Sequence, residues 1–251
     1  QTITRNPLGS PDLIGFSTGA QTGILVSVLL LPGGMLSASL ASFIGGAAVG
    51  MVTYLVSLRG GFTGLRFILV GIAISSMLIS VNRWLLVRVD DDEGLGALKA
   101  ITGTLGAARW PVVAPTSLAI ALALALMLPV ARHLRVVALG EQMAAVLGSP
   151  TRRVGAVLIL LGTVLVAVVT MAAGPIGFVA LVAPHLARFL TGSPQPPLLV
   201  SGLTGSLLLA GADLLSQLVL ESMPVSVVTN AVGGLYLMVA LTATARGRRS
   251  L

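Results

Sequence analysis

Long apolar runs recur along the whole chain, separated by short connectors that carry most of its arginines. Eight runs stand out, at residues 13–31, 36–58, 65–87, 112–131, 154–173, 176–190, 198–220 and 225–245. Inside a bilayer every backbone N–H and C=O must find its partner within the protein, so a run of about 20 apolar residues is solved by an α-helix. Hydrophobic residues make up 55% of the sequence and charged residues 9%, with a mean hydropathy of +1.01. Soluble domains carry about 25% charge. The chain therefore reads as an all-α polytopic membrane protein whose first partner is the lipid bilayer.

One run does not fit. The stretch Gly174 to Gly192, GPIGFVALVAPHLARFLTG, has an apolar part from Ile176 to Ala183, followed by Pro184, His185 and Arg188. It is shorter than a bilayer core of roughly 30 Å requires, so it is either a surface segment or a special span. Charge decides between them. With Arg5 on the cytoplasmic side, alternate crossings place Arg59, Arg66, Arg132, Arg135, Arg152, Arg153, Arg188, Arg246, Arg248 and Arg249 there as well. The other side receives Arg83, Arg88, Lys99 and Arg109 together with Asp90, Asp91, Asp92, Glu93 and Glu221. If 176–190 did not cross, the C-terminal arginines would lie outside, against the positive-inside rule. The segment is therefore expected to span as a short or broken helix shielded by neighbours, with both ends of the chain cytoplasmic.

The polar residues exclude several functions. Cysteine is absent and Lys99 is the only lysine, so no cysteine-ligated metal site exists and no phosphate loop ending in Lys-Ser or Lys-Thr is present. No nucleophile, base and orienting group form a catalytic set, and the chain reads as no enzyme. His133 and His185 are the only histidines, and no carboxylate pattern near His133 supports a metal site. His185 reads as a polar group ordering the end of the short span, with a ligand role as the alternative. The net charge of +7 follows from arginines in membrane connectors, not from nucleic-acid binding.

Small residues recur every fourth position at Ala38, Ser42, Gly46 and Gly50, and again at Gly202, Ser206 and Ala210, the spacing of close helix packing. Asp213 follows the second stripe. It reads either as a pathway or proton site or as a hydrogen-bonding group near the helix end. The run Asp90 to Glu93 reads as a solvated turn, with cation or partner binding as the alternative.

The connector after the fourth run contains ALGEQMAAVLGSP, the signature of a helix of about two turns within 139–149. Glu141 suits its first turn, Gly148 its C-terminal stop, and Pro150 prevents continuation. Met143, Val146 and Leu147 share an apolar face, which suits docking into a groove on a soluble partner. A helix lying on the lipid interface is the alternative.

The runs GEQMAAVLG, GPIGFVALVAPHLARFLTG, GADLL, MPVSVVT and AVGG, with TRNPLGSPDLIGFSTGA at the start, resemble the permease subunits of bacterial ABC importers for iron siderophores, haem and vitamin B12. The resemblance covers essentially the whole chain and implies the ten-helix fold of a type II ABC-importer permease. About eight helices are present here, so the first and most of the second are expected to precede Gln1. The chain is then a single transmembrane permease domain, 1–251, with 139–149 as its cytoplasmic coupling helix. The implied partners are a second permease subunit, as homo- or heterodimer, two cytoplasmic ATPase subunits holding ATP and magnesium, and an extracytoplasmic binding protein. This chain itself is expected to bind no cofactor.

By the same resemblance, Leu139, Gly140, Glu141, Ala144, Ala145 and Gly148 contact the ATPase, and Asn6, Pro7, Leu8, Thr63 and Gly64 form a cytoplasmic gate. Gly174, Pro175, Gly177, Phe178, Pro184, His185, Arg188, Asp213 and Pro224 are signature positions. The family often has arginine four residues after the aspartate, where this chain has Gln217, and its usual Glu-Leu-Pro-Val-Gly reads Ser222, Met223, Pro224, Val225, Ser226. Gly233, Gly234 and Leu235 replace a pattern that usually includes proline. The expected function is ATP-driven import of a ferric siderophore across the bacterial cytoplasmic membrane. Haem or cobalamin import, an ion-coupled secondary transporter using Asp213, and a non-transporting membrane scaffold stand as alternatives.

Overall fold

Helices supply the regular structure of the described residues in the computed structural model, which are 1–251 without 5, 8, 31–34, 59–62, 89–90, 107, 139–140, 147–150, 220–222 and 248–251. In chain order they are α1 (Pro11–Ile14), α2 (Phe16–Leu30), α3 (Met35–Leu58), α4 (Gly64–Val87), α5 (Asp91–Ala100), α6 (Trp110–Ala138), α7 (Glu141–Val146), α8 (Thr151–Ala173), α9 (Val179–Thr191), α10 (Leu198–Leu218) and α11 (Val225–Gly247). Each of the eight apolar runs coincides with one of the helices α2, α3, α4, α6, α8, α9, α10 and α11. Among the described residues, five stretches are long and apolar enough to cross a membrane: Ala38–Leu58, Gly64–Val87, Trp110–Val130, Arg153–Ala173 and Leu198–Leu218. Phe16–Leu29, Val179–Thr191 and Val225–Val239 are shorter apolar helices.

Three boundaries differ from the sequence reading. The run 13–31 is broken at Gly15, whose φ of 96° closes α1 in the left-handed conformation before α2 begins, a geometry glycine adopts without steric cost. The acidic run expected as a turn instead opens α5, with Asp91, Asp92 and Glu93 as its first residues; Asp90 lies outside the described residues. Ala97 anchors that helix, fully buried in a cluster with Leu25 and Leu85. Finally, α6 continues through Arg132, His133 and Arg135 to Ala138, so the connector to α7 is shorter than the sequence implied.

The chain divides into two compact units, one of Gln1–Thr102 and Gly106–Pro175, the other of Gly103–Leu105 and Ile176–Leu251. In the first, α2 and α3 pack backbone to backbone. A Cβ added at Gly19, Gly23 or Gly45 would overlap the facing helix, and one at Gly50 would enter the Phe16 ring. Ser42 is 1% exposed, so the stripe on α3 serves helix packing, as small residues do in membranes. Gly71 of α4 admits α1 in the same way: a Cβ there would lie 2.6 Å from the Ile14 Cα and the Leu13 carbonyl oxygen.

In the second unit, Thr204 of α10 donates to the Ala183 carbonyl of α9 at 3.0 Å, and a Cβ at Gly205 would sit 3.4 Å from that of Ala183. The stripe Gly202, Ser206, Ala210 is exposed along α10, and nothing lies within 4 Å of a Cβ at Gly202. The expected close packing of that stripe is thus not made among the described residues. Helix α9 has 13 residues, about 20 Å at 1.5 Å per residue, which falls short of a bilayer core.

Candidate functional site

The connector before α1 and the start of α4 meet in the first unit. Thr63 caps α4, its Oγ1 accepting from the Arg66 N–H at 3.4 Å, as an N-cap hydroxyl does. Next to it, Gly64 lies so close to the Thr4 backbone that a Cβ would overlap it. Beyond Thr4 the connector folds on itself: the Asn6 N–H donates to the Gln1 carbonyl at 3.3 Å, and the Asn6 carbonyl accepts from Gly9 at 3.0 Å. Pro7 is exposed; Leu8 lies outside the described residues. Of the expected gate positions, Gly64 therefore sits directly against the connector that carries Asn6 and Pro7, at Thr4, and Thr63 is the exposed cap beside it.

At the coupling segment, Leu139, Gly140 and Gly148 lie outside the described residues. Glu141 opens α7, and Ala144 and Ala145 are within it. Ala144 is fully buried, while Met143 is 54% and Val146 83% exposed. The helix packs against α6 and α8, and among its described side chains Met143 and Val146 face outward while Ala144 is turned inward.

The signature segment leads from α8 into the second unit without regular structure from Gly174 to Phe178. Gly174 has φ 73° and Phe178 φ 65°; Pro175 is buried. Left-handed backbone suits glycine but is strained for phenylalanine. The turn is held by hydrogen bonds from the Val179 N–H to the Gly177 carbonyl at 2.9 Å, and from Leu181 and Val182 to the Phe178 carbonyl at 3.0 and 2.9 Å. Across from it, a Cβ at Gly233 would overlap the Phe178 side chain. Glycine in α11 is what lets that side chain lie against the helix. Along α9, Pro184 is interior, the His185 ring lies 6.1 Å from that of Tyr236 in α11, and exposed Arg188 stands in the last turn. A cavity of about 260 Å³ opens among Phe178, Val182, Leu207, Gly211, Val228 and Val232, with an apolar lining.

On α10, Gln217 Nε2 donates to Asp213 Oδ2 at 2.8 Å, so the carboxylate has a neutral partner one helical turn away. Ser216 is buried and donates to the Met223 carbonyl, tying the end of α10 to the residue before Pro224, whose own carbonyl accepts from Val227 at 2.9 Å. No group of three or more metal-ligating His, Cys, Asp or Glu side chains occurs among the described residues.

These features, a glycine-packed helical unit followed by a half-length helix behind a left-handed turn, come with a family profile that matches residues 1–243, that of the FecCD transport family. The chain belongs to the FecCD transport family. It is 37% identical over 248 residues to the ferric enterobactin transport system permease protein FepG of Escherichia coli K12, covering 98% of this chain and 75% of that protein. To the Fe(3+) dicitrate transport system permease protein FecD of the same organism it is 35% identical over 238 residues, 93% of this chain and 74% of the relative. A solved structure of a metal-chelate type ABC transporter in an inward-facing conformation superposes with a TM-score of 0.86 at 23% identity, over 97% of this chain and 79% of that one.

The FecCD assignment makes the chain a multi-pass membrane transport protein. Sequence reasoning had not found Gly71, Ser216 or Gly233 in this FecCD-family fold. Gly233 was noted only as a departure from pattern, since nothing in a linear sequence shows that Phe178 lies across from it.

Proposed function

We propose that this chain is the permease subunit of an ATP-driven importer that carries a ferric siderophore inward across the bacterial cytoplasmic membrane. The observation that carries this reading is the 37% identity to a ferric enterobactin permease over 98% of the chain. In this reading two permease subunits enclose the path, two cytoplasmic ATPase subunits hold ATP and magnesium, and a binding protein delivers the chelate from outside. The chain supplies helices and no cofactor of its own. ATP binding and hydrolysis shift the balance between outward-facing and inward-facing arrangements, because the ATPase engages the two states differently.

Each region has a place in this cycle. Met143 and Val146 on α7 form the apolar contact with an ATPase groove, in the manner of a helix docked by one face. The connector at Asn6 and Pro7, which meets the start of α4 where Thr4 lies on Gly64, is with Thr63 the cytoplasmic gate: it consists of turns that can rearrange without breaking a long helix. Both ends of the chain face the cytoplasm, as the arginine distribution requires. With Gln217 on Asp213, no cation follows the acid on α10. A partner permease carrying the docking charge, in a heterodimer, accommodates that difference, and full transport by a homodimer of this chain would remove the idea.

The test is uptake of radiolabelled ferric siderophore into proteoliposomes bearing the assembled transporter. ATP at the ATPase face is expected to drive accumulation, and a proton gradient without ATP to drive none. Accumulation on the gradient alone would replace this reading by ion-coupled transport through Asp213.

A further inference from the structure

Hydroxyls inside the helices of the first unit commonly donate to the carbonyl four residues back in their own helix: Thr22 to Thr18 at 2.9 Å, Ser57 to Thr53 at 2.6 Å, Ser75 to Gly71 at 2.8 Å and Thr163 to Ile159 at 2.7 Å. Such a bond satisfies the hydroxyl without a partner helix. Thr53 of α3 departs from it. Fully buried, its hydroxyl leaves its own helix and donates to the Ile14 carbonyl at the end of α1 at 3.2 Å.

Ile14 stands at the head of a series of hydrogen bonds that leads to the cytoplasmic connector. Across the Gly15 break the Asp12 carboxylate accepts from Ser17 Oγ, which braces α1 against α2. At the other end of α1, Ser10 Oγ accepts from the Leu13 N–H at 3.4 Å. The Gly9 N–H then donates to the Asn6 carbonyl and the Asn6 N–H to that of Gln1, and Thr4, between them, lies on Gly64. Against α4 the small helix rests on backbone at Gly71, where glycine has no side chain to interlock with it. A shift at Ile14 is therefore passed along α1 to the connector.

A threonine in a helix has a second acceptor within reach, the carbonyl of residue i−4, here Val49. Thr53 can thus exchange Ile14 for Val49 without leaving its hydroxyl unpaired in an apolar interior, where an unmade bond is expensive. The Ile14 bond is also long for a hydroxyl donor, whose usual separation is about 2.7–2.8 Å, so the exchange gives up little. We propose that Thr53 is a positioning residue for the cytoplasmic gate: bonded to Ile14 it holds α1 and the connector docked, and turned to Val49 it releases them. This deepens the gate assignment made above and rests on it.

Amide hydrogen exchange on the assembled transporter reads this latch without cargo. In Thr53→Val, which keeps the side-chain shape and removes the donor, peptides spanning residues 9–15 are expected to exchange about 3- to 10-fold faster than in the wild type. Thr53→Ser, which keeps the hydroxyl, should stay within about 2-fold of the wild type, as should Thr163→Val, which deletes a hydroxyl bonded only within α8. Import of labelled ferric siderophore is then measured with ATP hydrolysis: the ATP consumed per chelate should rise at least about 3-fold in Thr53→Val and return to the wild-type ratio in Thr53→Ser. Wild-type exchange over residues 9–15 in Thr53→Val, or an equal rise in Thr163→Val, overturns the latch. Faster exchange with an unchanged ATP-to-chelate ratio overturns its link to the gate. Exchange as expected in a wild-type transporter that imports no ferric chelate refutes the function proposed above and leaves the Thr53 latch standing.

Discussion

Gly64 has no room for a side chain, because the Thr4 backbone occupies the space a Cβ would take. Gly64→Val is expected to destabilise by roughly 1–3 kcal/mol through overpacking, lowering the melting temperature in detergent by about 2–4 °C for each kcal/mol. Gly162 of α8, with nothing within 4 Å of an added Cβ, is the control: Gly162→Ala should leave the melting temperature unchanged or raise it slightly. Equal melting temperatures for the Gly64→Val and Gly162→Ala variants would remove the close approach. At this scale the sequence marked where breaks occur but not which residue takes the strain. Gly174 and Pro175 announced an interruption, yet the left-handed turn also falls on Phe178, a residue type that ordinarily avoids it. The Asp213 side chain left two readings open, and its bond to Gln217 depends on rotamers that spacing alone does not set.

Helix α7 has six residues, and its packing and the docking proposed for it can be separated by mutation. Met143→Glu should leave thermal stability within about 0.5 kcal/mol, since the side chain is exposed, while reducing co-purification of the ATPase about 10-fold. Ala144→Leu should do the opposite at first instance, destabilising the permease by roughly 1–3 kcal/mol because the site is fully buried. Undiminished ATPase association in Met143→Glu would end the docking role of α7. The long helices were legible because a run of about 20 apolar residues has one solution in lipid. Helix α5 was not, because its acids resemble a hydrated turn until Ala97 is seen packed in the cluster with Leu25 and Leu85. Likewise, the arginines near the end of α6 look like a connector in sequence, although cations are also favourable in the last turns of a helix.

For the molecule as a whole, topology turns on whether the 13-residue α9 completes a crossing. Reporter fusions after Gly174 and after Gly192 are expected to signal opposite sides of the membrane, and a fusion after Gly247 the same side as the one after Gly192. Matching signals at Gly174 and Gly192 would reverse the sidedness of everything after α9. Charge asymmetry is the sequence argument for this parity, whereas the grouping of the chain into two units was not legible, since it depends on contacts between distant segments. The glycine contacts between α2 and α3 have a mechanical consequence. At Gly23 and Gly45 backbone bears directly on backbone, with no side chains between them to change rotamer and absorb a displacement. The two helices are thereby keyed together and can tilt or translate only as one stiff strut. A displacement of either helix must therefore carry the other with it, rather than be absorbed by slippage inside the pair.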